Sequence, residues 1–533
     1  MTHRTGTHRL AVFTLLAVLA ALTSPRFVAG QEHAHMEDLG SVSFPVACSA
    51  EAQERMHRAV AMLHSFWFPE ARRTFESVVE ADPGCGIGYW GVALTHFGNP
   101  MGGGSGAEGQ AAGWEAAQKA VEAGARSPRD QAYVDAAVAL FRGHGSLDNR
   151  TRMRAYEEAL EGIVDAHPED TEAKIFHAIF MVANAPPTDL TFARQQRAAE
   201  TLNELYRRQP RHPGLAHYII HAFDSPSLAR HALDAARQYA GIAPAAPHAL
   251  HMPSHIFTRL GYWDESIATN RRSADLEPTP GGKSHPMDYL VYAYLQQGRD
   301  ELALGAIEEI GGNTSGEYIA GTLGSYNALA MPARYALERE DWASAAALSV
   351  ASTVASAEAV TRFARALGAA RSGQAAAARQ EVAALEALVA DLRAQNDEYW
   401  SLVVDAQRTA VAAWVAHAEG RHDEALDLAR RAADDEERVE KHPVTPGPLI
   451  PARELLGDIL MVHRLPAEAL AAYERTLERE PNRARTLTGA ARAARAAGQD
   501  EVARAHYRAL VDLMDPASTR PELREANEFI AGR

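Results

Sequence analysis

The chain has 533 residues, which is long enough for several domains or for one long array of repeats. Its formal net charge is −16, so it lacks the basic surface that a general nucleic-acid binder needs. Alanine is abundant and β-branched runs are scarce, and no segment alternates apolar and polar residues for long enough to indicate a sheet. We therefore expect an all-α protein with no nucleic-acid partner.

The N-terminus has the pattern of an export signal in residues 1–30. Arg4 and Arg9 precede an apolar run over residues 10–22, and the small residues 28–30 are suited to cleavage. The run is too short to span a bilayer comfortably, although an uncleaved anchor is the alternative. No later segment is apolar enough to cross a membrane. We expect an exported protein, periplasmic or extracellular, without an integral membrane segment in its mature chain.

Residues 52–83 carry the first clear helix-turn-helix pattern. Ala59 occupies the small-residue position of the first helix, Ala71 and Phe75 supply packing positions of the second helix, and Pro83 closes the unit. In these positions the chain resembles the tetratricopeptide repeat (TPR) family. The resemblance implies a right-handed α-solenoid of stacked helical hairpins over almost the whole mature chain.

The two cysteines, Cys48 and Cys85, are 37 residues apart, which is about one repeat. Adjacent repeat starts could bring them close, and an exported chain meets oxidising conditions in which a disulfide persists. A disulfide between them is one expectation, and two small buried residues are the other.

The predicted organisation of the mature chain begins with an extended lead-in over residues 31–49. A TPR-like array follows over residues 50–440, with histidine-rich units at 213–298. A proline-rich linker over residues 441–451 interrupts the array. Residues 452–533 are expected to hold further repeats and a capping helix.

Five histidines in the histidine-rich units follow a helical spacing. His217 and His221 are four residues apart, and His248, His251 and His255 are three and four apart, so each group lies on one helical face. His217 and His251 are 34 residues apart, as are His221 and His255, and this period is typical of TPR units. Stacked units are therefore expected to bring these side chains together.

The TPR resemblance implies that one helix of each unit lines a concave groove. Candidate ligand-binding residues at the groove-facing positions of three consecutive units are His217, His221, Asp224, His248, His251, His255, His285, Asp288 and Tyr292. The segments HYIIH at 217–221 and HALHMPSHIF at 248–257 also look like those of uncharacterised exported bacterial TPR proteins. That group supplies no established activity, so the resemblance does not identify a ligand.

Three interpretations of the histidines remain open. The first is a divalent transition metal (zinc, copper, nickel or iron) held by His217, His221, His251 and His255, because neutral imidazole is a common ligand for these ions. The second is a peptide, a protein or an anionic small molecule bound in the groove. The third is a structural role through hydrogen bonds.

The favoured function is an exported binding or scaffold protein with a protein or peptide partner. The alternative is a metalloprotein, with metal-dependent hydrolysis as its enzymatic form. The sequence holds no nucleophile motif, no metalloprotease His-Glu-x-x-His and no nucleotide fingerprint, so catalysis is not favoured. His64 and His463 are interpreted as isolated structural residues.

Overall fold

The structure is a computed structural model that describes residues 39–317 and 326–532. The predicted export signal and residues 31–38 of the predicted lead-in lie outside the described residues. Residues 39–49 of the lead-in contain no helix. In the described ranges the chain is helical and has no β-strand, which confirms the predicted all-α class. None of the described helices is both long and apolar enough to cross a membrane.

The first half of the described chain is a succession of helices joined by short turns. These helices are α1 (Ala50–His64), α2 (Phe68–Ala81), α3 (Gly86–Phe97), α4 (Ala107–Ala123), α5 (Pro128–Phe141), α6 (Asn149–Ala166), α7 (Thr171–Ala183), α8 (Ala193–Arg208), α9 (Pro213–Ala222), α10 (Leu233–Ile242), α11 (Pro247–His251), α12 (Pro253–Arg259), α13 (Trp263–Leu276), α14 (Pro280–Gln296) and α15 (Asp300–Glu309). Short 3₁₀ turns occur at Pro100–Gly102 and Ala229–Ala232.

The second half continues the same pattern. Its helices are α16 (Tyr326–Leu337), α17 (Trp342–Ala346), α18 (Ala355–Arg371), α19 (Ala375–Ala394), α20 (Glu398–Ala418), α21 (His422–Glu436), α22 (Ala452–Val462), α23 (Pro466–Arg479), α24 (Ala484–Ala496), α25 (Asp500–Leu513) and α26 (Pro521–Ile530). The non-helical residues 437–451 contain the predicted proline-rich linker.

Consecutive helices pack as hairpins, and each hairpin packs against the next. Helix α1 contacts α2, α3 contacts α4, and α20 contacts α21, while α2 with α3 and α21 with α22 join neighbouring hairpins. Buried small residues such as Ala59 and Ala71 allow the helices to approach closely, and Phe75 and Trp90 fill the space between them. The predicted α-solenoid of stacked helical hairpins is confirmed.

The array curls so that two remote turns meet. Gly261, between α12 and α13, has φ of 67° and its carbonyl accepts a hydrogen bond from Asn482 Nδ2 at 3.2 Å. Trp263 Nε1 donates to the Asn482 carbonyl at 2.8 Å. A Cβ at position 261 would lie 2.5 Å from the Pro481 oxygen, so this contact needs glycine for its space as well as its conformation.

Residues 437–451, which we call the strap, contact α14 and α16. Proline lacks a backbone N–H, so an extended proline-rich segment relies on other groups to satisfy its carbonyls. Tyr289 Oη donates to the Thr445 carbonyl at 3.0 Å, and Arg334 donates to the carbonyls of Gly447 and Pro448 at 2.8 and 2.9 Å. The strap is therefore part of the packed interior.

Cys48 and Cys85 form a disulfide in the structure, with their Cα atoms 5.5 Å apart. The bond joins the residue before the cap of α1 to the residue before α3. It therefore ties the lead-in to the second hairpin.

We expect the Cys48→Ser/Cys85→Ser variant to lose about 2–4 kcal/mol in the free energy of unfolding, because the cross-link restricts the unfolded chain. Denaturant unfolding with and without reductant measures this loss. Reductant should destabilise the wild-type protein and leave the double variant unchanged. Two reactive thiols in the native, unreduced protein would contradict the disulfide.

Candidate metal centre

Helices α9, α11, α12 and α14 bring six histidines together. Helix α9 supplies His217 and His221, and α11 supplies His248 and His251. His255 lies on α12 and His285 on α14. Pro253 begins α12 directly after α11, yet the four-residue spacing keeps His251 and His255 side by side.

The six rings form two triads. The first triad is His217, His221 and His248, and the second triad is His251, His255 and His285. In each triad, one ring nitrogen from every member lies within 4.8 Å of the other two.

The triads are adjacent, because the His221 and His255 rings are 6.1 Å apart and the His248 and His251 rings are 6.0 Å apart. The predicted metal ligands His217, His221, His251 and His255 therefore belong to two neighbouring groups. His248 and His285 complete these groups.

The outward nitrogens of His217 and His285 are held by backbone carbonyls. His217 Nδ1 lies 2.6 Å from the His64 oxygen, and His285 Nδ1 lies 3.1 Å from the Val444 oxygen on the strap. A carbonyl only accepts, so both rings carry their proton on Nδ1. In the neutral ring this leaves a lone pair on Nε2, which in His217 lies 3.2 Å from His248 Nε2.

His251 and His255 are fixed in the same tautomer by side chains. His251 Nδ1 donates to Asn270 Oδ1 at 2.7 Å, and the Asn270 amide is oriented by its own donation to the Ser266 carbonyl at 2.7 Å. His255 Nδ1 donates to the Asp224 carboxylate at 2.8 Å. Outer partners of this kind are the usual second shell of metal-binding histidine.

These tautomers place two unprotonated nitrogens in contact. His251 Nε2 and His255 Nε2 are 3.0 Å apart, and with both protons on Nδ1 neither nitrogen has a hydrogen to donate. Burial lowers the pKa of His251 well below its usual value, and His255 adds to this effect. Burial also lowers the pKa of His255, although Asp224 opposes it.

His221 is the least satisfied ring of the centre. Its side chain is buried, with 5 % of the residue exposed, and neither ring nitrogen has a hydrogen-bond partner among the described residues. A buried polar group without a partner costs about 1–3 kcal/mol. Burial, with His255 and His248 nearby, lowers the pKa of His221 well below its usual value. Its nitrogens are therefore available to a ligand.

Asp224 organises the charge beside the second triad. Besides His255, it accepts from Arg259 Nε at 2.9 Å and from Lys441 Nζ of the strap at 2.9 Å. Burial raises the pKa of this carboxyl, but Lys441 and Arg259 outweigh burial and hold the pKa well below its usual value. Burial lowers the pKa of Lys441 to about 8. Asp224 thus orients His255 and pairs with two cations, one of which, Arg259, also lies 3.4 Å from Glu440.

Two predicted site residues lie away from the histidines. Asp288 pairs with Arg334 at 2.8 Å, and Tyr292 Oη accepts from Arg483 at 3.0 Å. Tyr289 takes the place beside the second triad, with ring centroids 4.9 Å from His251 and 5.0 Å from His255. The sequence could have predicted the position of Tyr289, because Tyr289 follows His285 by four residues and lies on the same helical face.

The structure corrects the interpretation of His64 as isolated. His64 Nε2 lies 2.8 Å from Glu172, and His212 Nε2 lies 2.9 Å from the same carboxylate. Burial would raise the pKa of Glu172, but His212 and His64 lower it to about 2. This buried triad holds α1 in place, and the His64 carbonyl in turn anchors His217.

The histidines do not lie on an open groove. All residues of α9 are buried, its two histidines included, and His217 and His251 are at most 1 % exposed. Instead, His221, His248, His255 and His285 border a cavity of about 380 Å³. The other walls of this cavity include Met101, Tyr326, Trp400 and His442. A small molecule could therefore reach the centre.

No family model and no curated protein matches the chain. Among solved structures, it is similar to a TPR protein from Parabacteroides merdae, with 13% identity over 54% of this chain and 97% of that chain and a TM-score of 0.29. It is also similar to the P58(IPK) TPR domain, with 13% identity, coverage of 91% and 99%, and a TM-score of 0.20. The APC/C hetero-tetramer Cut9-Hcn1 matches at 12% identity, 91% and 96% coverage, and a TM-score of 0.32. These values say nothing of a ligand or an activity.

We expect Asp224→Asn to cost about 3–5 kcal/mol in the free energy of unfolding, because buried Lys441 would lose its ion-pair partner and buried Arg259 would keep only Glu440. Asp275→Asn is the matched control, since this carboxylate is 61% exposed and also pairs with an arginine. Denaturant unfolding measures both variants. Equal stability of the two variants would show that Asp224 does not hold the buried cations.

Proposed function

We propose that the six histidines of the two triads, four of them buried and two half-buried, bind transition-metal ions, one at each triad. The contact between His251 Nε2 and His255 Nε2 carries this proposal, because two unprotonated nitrogens 3.0 Å apart need a cation to share. The pKa values of both rings are lowered, which disfavours a proton in that role. A metal ion satisfies both lone pairs.

The donor set favours ions that prefer nitrogen. All six ligands are imidazoles, and no free cysteine is present among the described residues. Neutral imidazole suits zinc, copper, nickel and iron, whereas magnesium and calcium prefer oxygen. Three protein ligands leave a coordination position for water or a substrate, which the adjoining cavity can supply.

The second candidate function is capture of a small organic ligand by an exported scaffold protein. The cavity of about 380 Å³ supports this candidate, since imidazole, indole and phenol groups line it. The strap already covers part of α14 and α16, so a peptide or protein partner would bind other surfaces of the repeats. Export of the protein remains part of this proposal.

We expect the chain without residues 1–30, produced without a histidine tag, to retain near-stoichiometric metal after dialysis against a mild chelator. The variant His251→Ala/His255→Ala should lose the metal of the second triad. His231→Ala is the control, because His231 is exposed and outside both triads. Elemental analysis measures the metal, and circular dichroism checks that each variant is folded.

The stability of the metal-free protein provides an independent readout. Zinc at about 100 times its dissociation constant should stabilise the fold by about 2.7 kcal/mol. His248→Ala, at a half-buried ring, should weaken this effect without unfolding the chain. Absence of bound metal, together with no shift in melting temperature on adding zinc, copper or nickel, would exclude the metal centre. Ligand screening of the cavity would then test the second candidate.

A further inference from the structure

A further histidine triad lies outside the buried centre, at the hairpin turns of the C-terminal half. His417 is in the last turn of α20, His422 begins α21, and His463 follows the end of α22. One ring nitrogen of each lies within 4.8 Å of the other two. His463 was interpreted from the sequence as isolated, and the structure corrects this.

The three rings face one another at similar distances. Their centroids are 5.6 Å apart for His417 and His422, 5.1 Å for His417 and His463, and 5.0 Å for His422 and His463. His417 Nδ1 lies 3.2 Å from His463 Nε2. Three imidazoles therefore converge from three separate helix ends.

The stacking of hairpins produces this arrangement. The turn between α20 and α21 is formed at Gly420, and the turn between α22 and α23 is formed at Arg464, both with positive φ. Because α21 packs against α22, neighbouring hairpins present their turns side by side. Histidines at the ends of these turns consequently meet, although His417 and His463 are 46 residues apart.

The surroundings of this triad suit a cation that exchanges with solvent. His422 is exposed, and His417 and His463 are half-buried. Burial and the neighbouring histidines lower the pKa of His417, so its ring tends to be neutral and able to bind at neutral pH. Burial and His422 lower the pKa of His463 in the same way, with Asp423 opposing them.

We propose that His417, His422 and His463 form a separate, solvent-open site for a divalent transition metal such as zinc, nickel or copper. The three imidazoles are the protein ligands, and water or a ligand from solution takes the remaining positions. The proposal does not depend on the buried centre, since no residue is shared and the rings belong to other helices.

Trp414 offers a local signal for this site. Its ring lies 5.8 Å from His417, and it is buried against Arg371. Copper or nickel bound at the triad should quench its fluorescence. Trp414→Phe assigns the signal, because Trp400 borders the buried cavity and would report on that centre instead.

The test titrates copper into the chelator-treated full chain and follows tryptophan fluorescence. We expect a saturable quench that His422→Ala and His463→Ala each weaken by at least about tenfold, the scale on which even an outer-shell partner affects metal affinity. His231→Ala should titrate as the wild-type protein does. His422 is exposed, so its substitution should not disturb folding.

The difference between wild-type and His422→Ala titrations isolates this site from the buried centre. A difference signal that Trp414→Phe removes would support the proposal. Equal copper affinity in the wild-type protein, His422→Ala and His463→Ala would overturn it. The metal retained after chelator dialysis tests the buried centre separately. Either proposal can therefore be disproved while the other still holds.

Discussion

The central constraint in this protein is that each buried imidazole has two nitrogens to satisfy where water is scarce. Four of the six rings use Nδ1 to donate outward, to two carbonyls, one amide and one carboxylate. That choice directs their Nε2 lone pairs inward. The convergence of the rings therefore follows from how their far sides are held, and a cation is the simplest group that completes them.

The strap makes the centre depend on the whole array. Two contacts of the centre come from this remote segment: Lys441 donates to Asp224, 217 residues away, and the Val444 carbonyl accepts from His285, 159 residues away. The turn at Gly261 is likewise fixed by Asn482. A solenoid whose repeats contacted only their neighbours would leave this site open. In this chain, the contacts of Asn482 with Gly261 and of the strap with His285 join remote repeats, and the same contacts help to bury the histidines.

Some of this could be predicted from the sequence. The 34-residue period placed His217 and His221 near His251 and His255, and helical spacing placed each pair on one face. The partners of these rings could not be predicted, because His64, Asn270 and the strap reach them through tertiary contacts. On α14 the TPR positions predicted His285, Asp288 and Tyr292, whereas the helix presents His285 and Tyr289 to the centre.

The charge balance of the centre bears on what the adjoining cavity can hold. The negative charge of Asp224 is already offset by Arg259 and Lys441, and burial lowers the pKa values of all six imidazoles. A divalent ion on three neutral ligands would therefore keep its full charge toward the cavity. Such an ion lowers the pKa of bound water and attracts anions. With such an ion bound, the cavity would favour hydroxide or a small anionic ligand, and an uncharged apolar ligand would gain least from the centre.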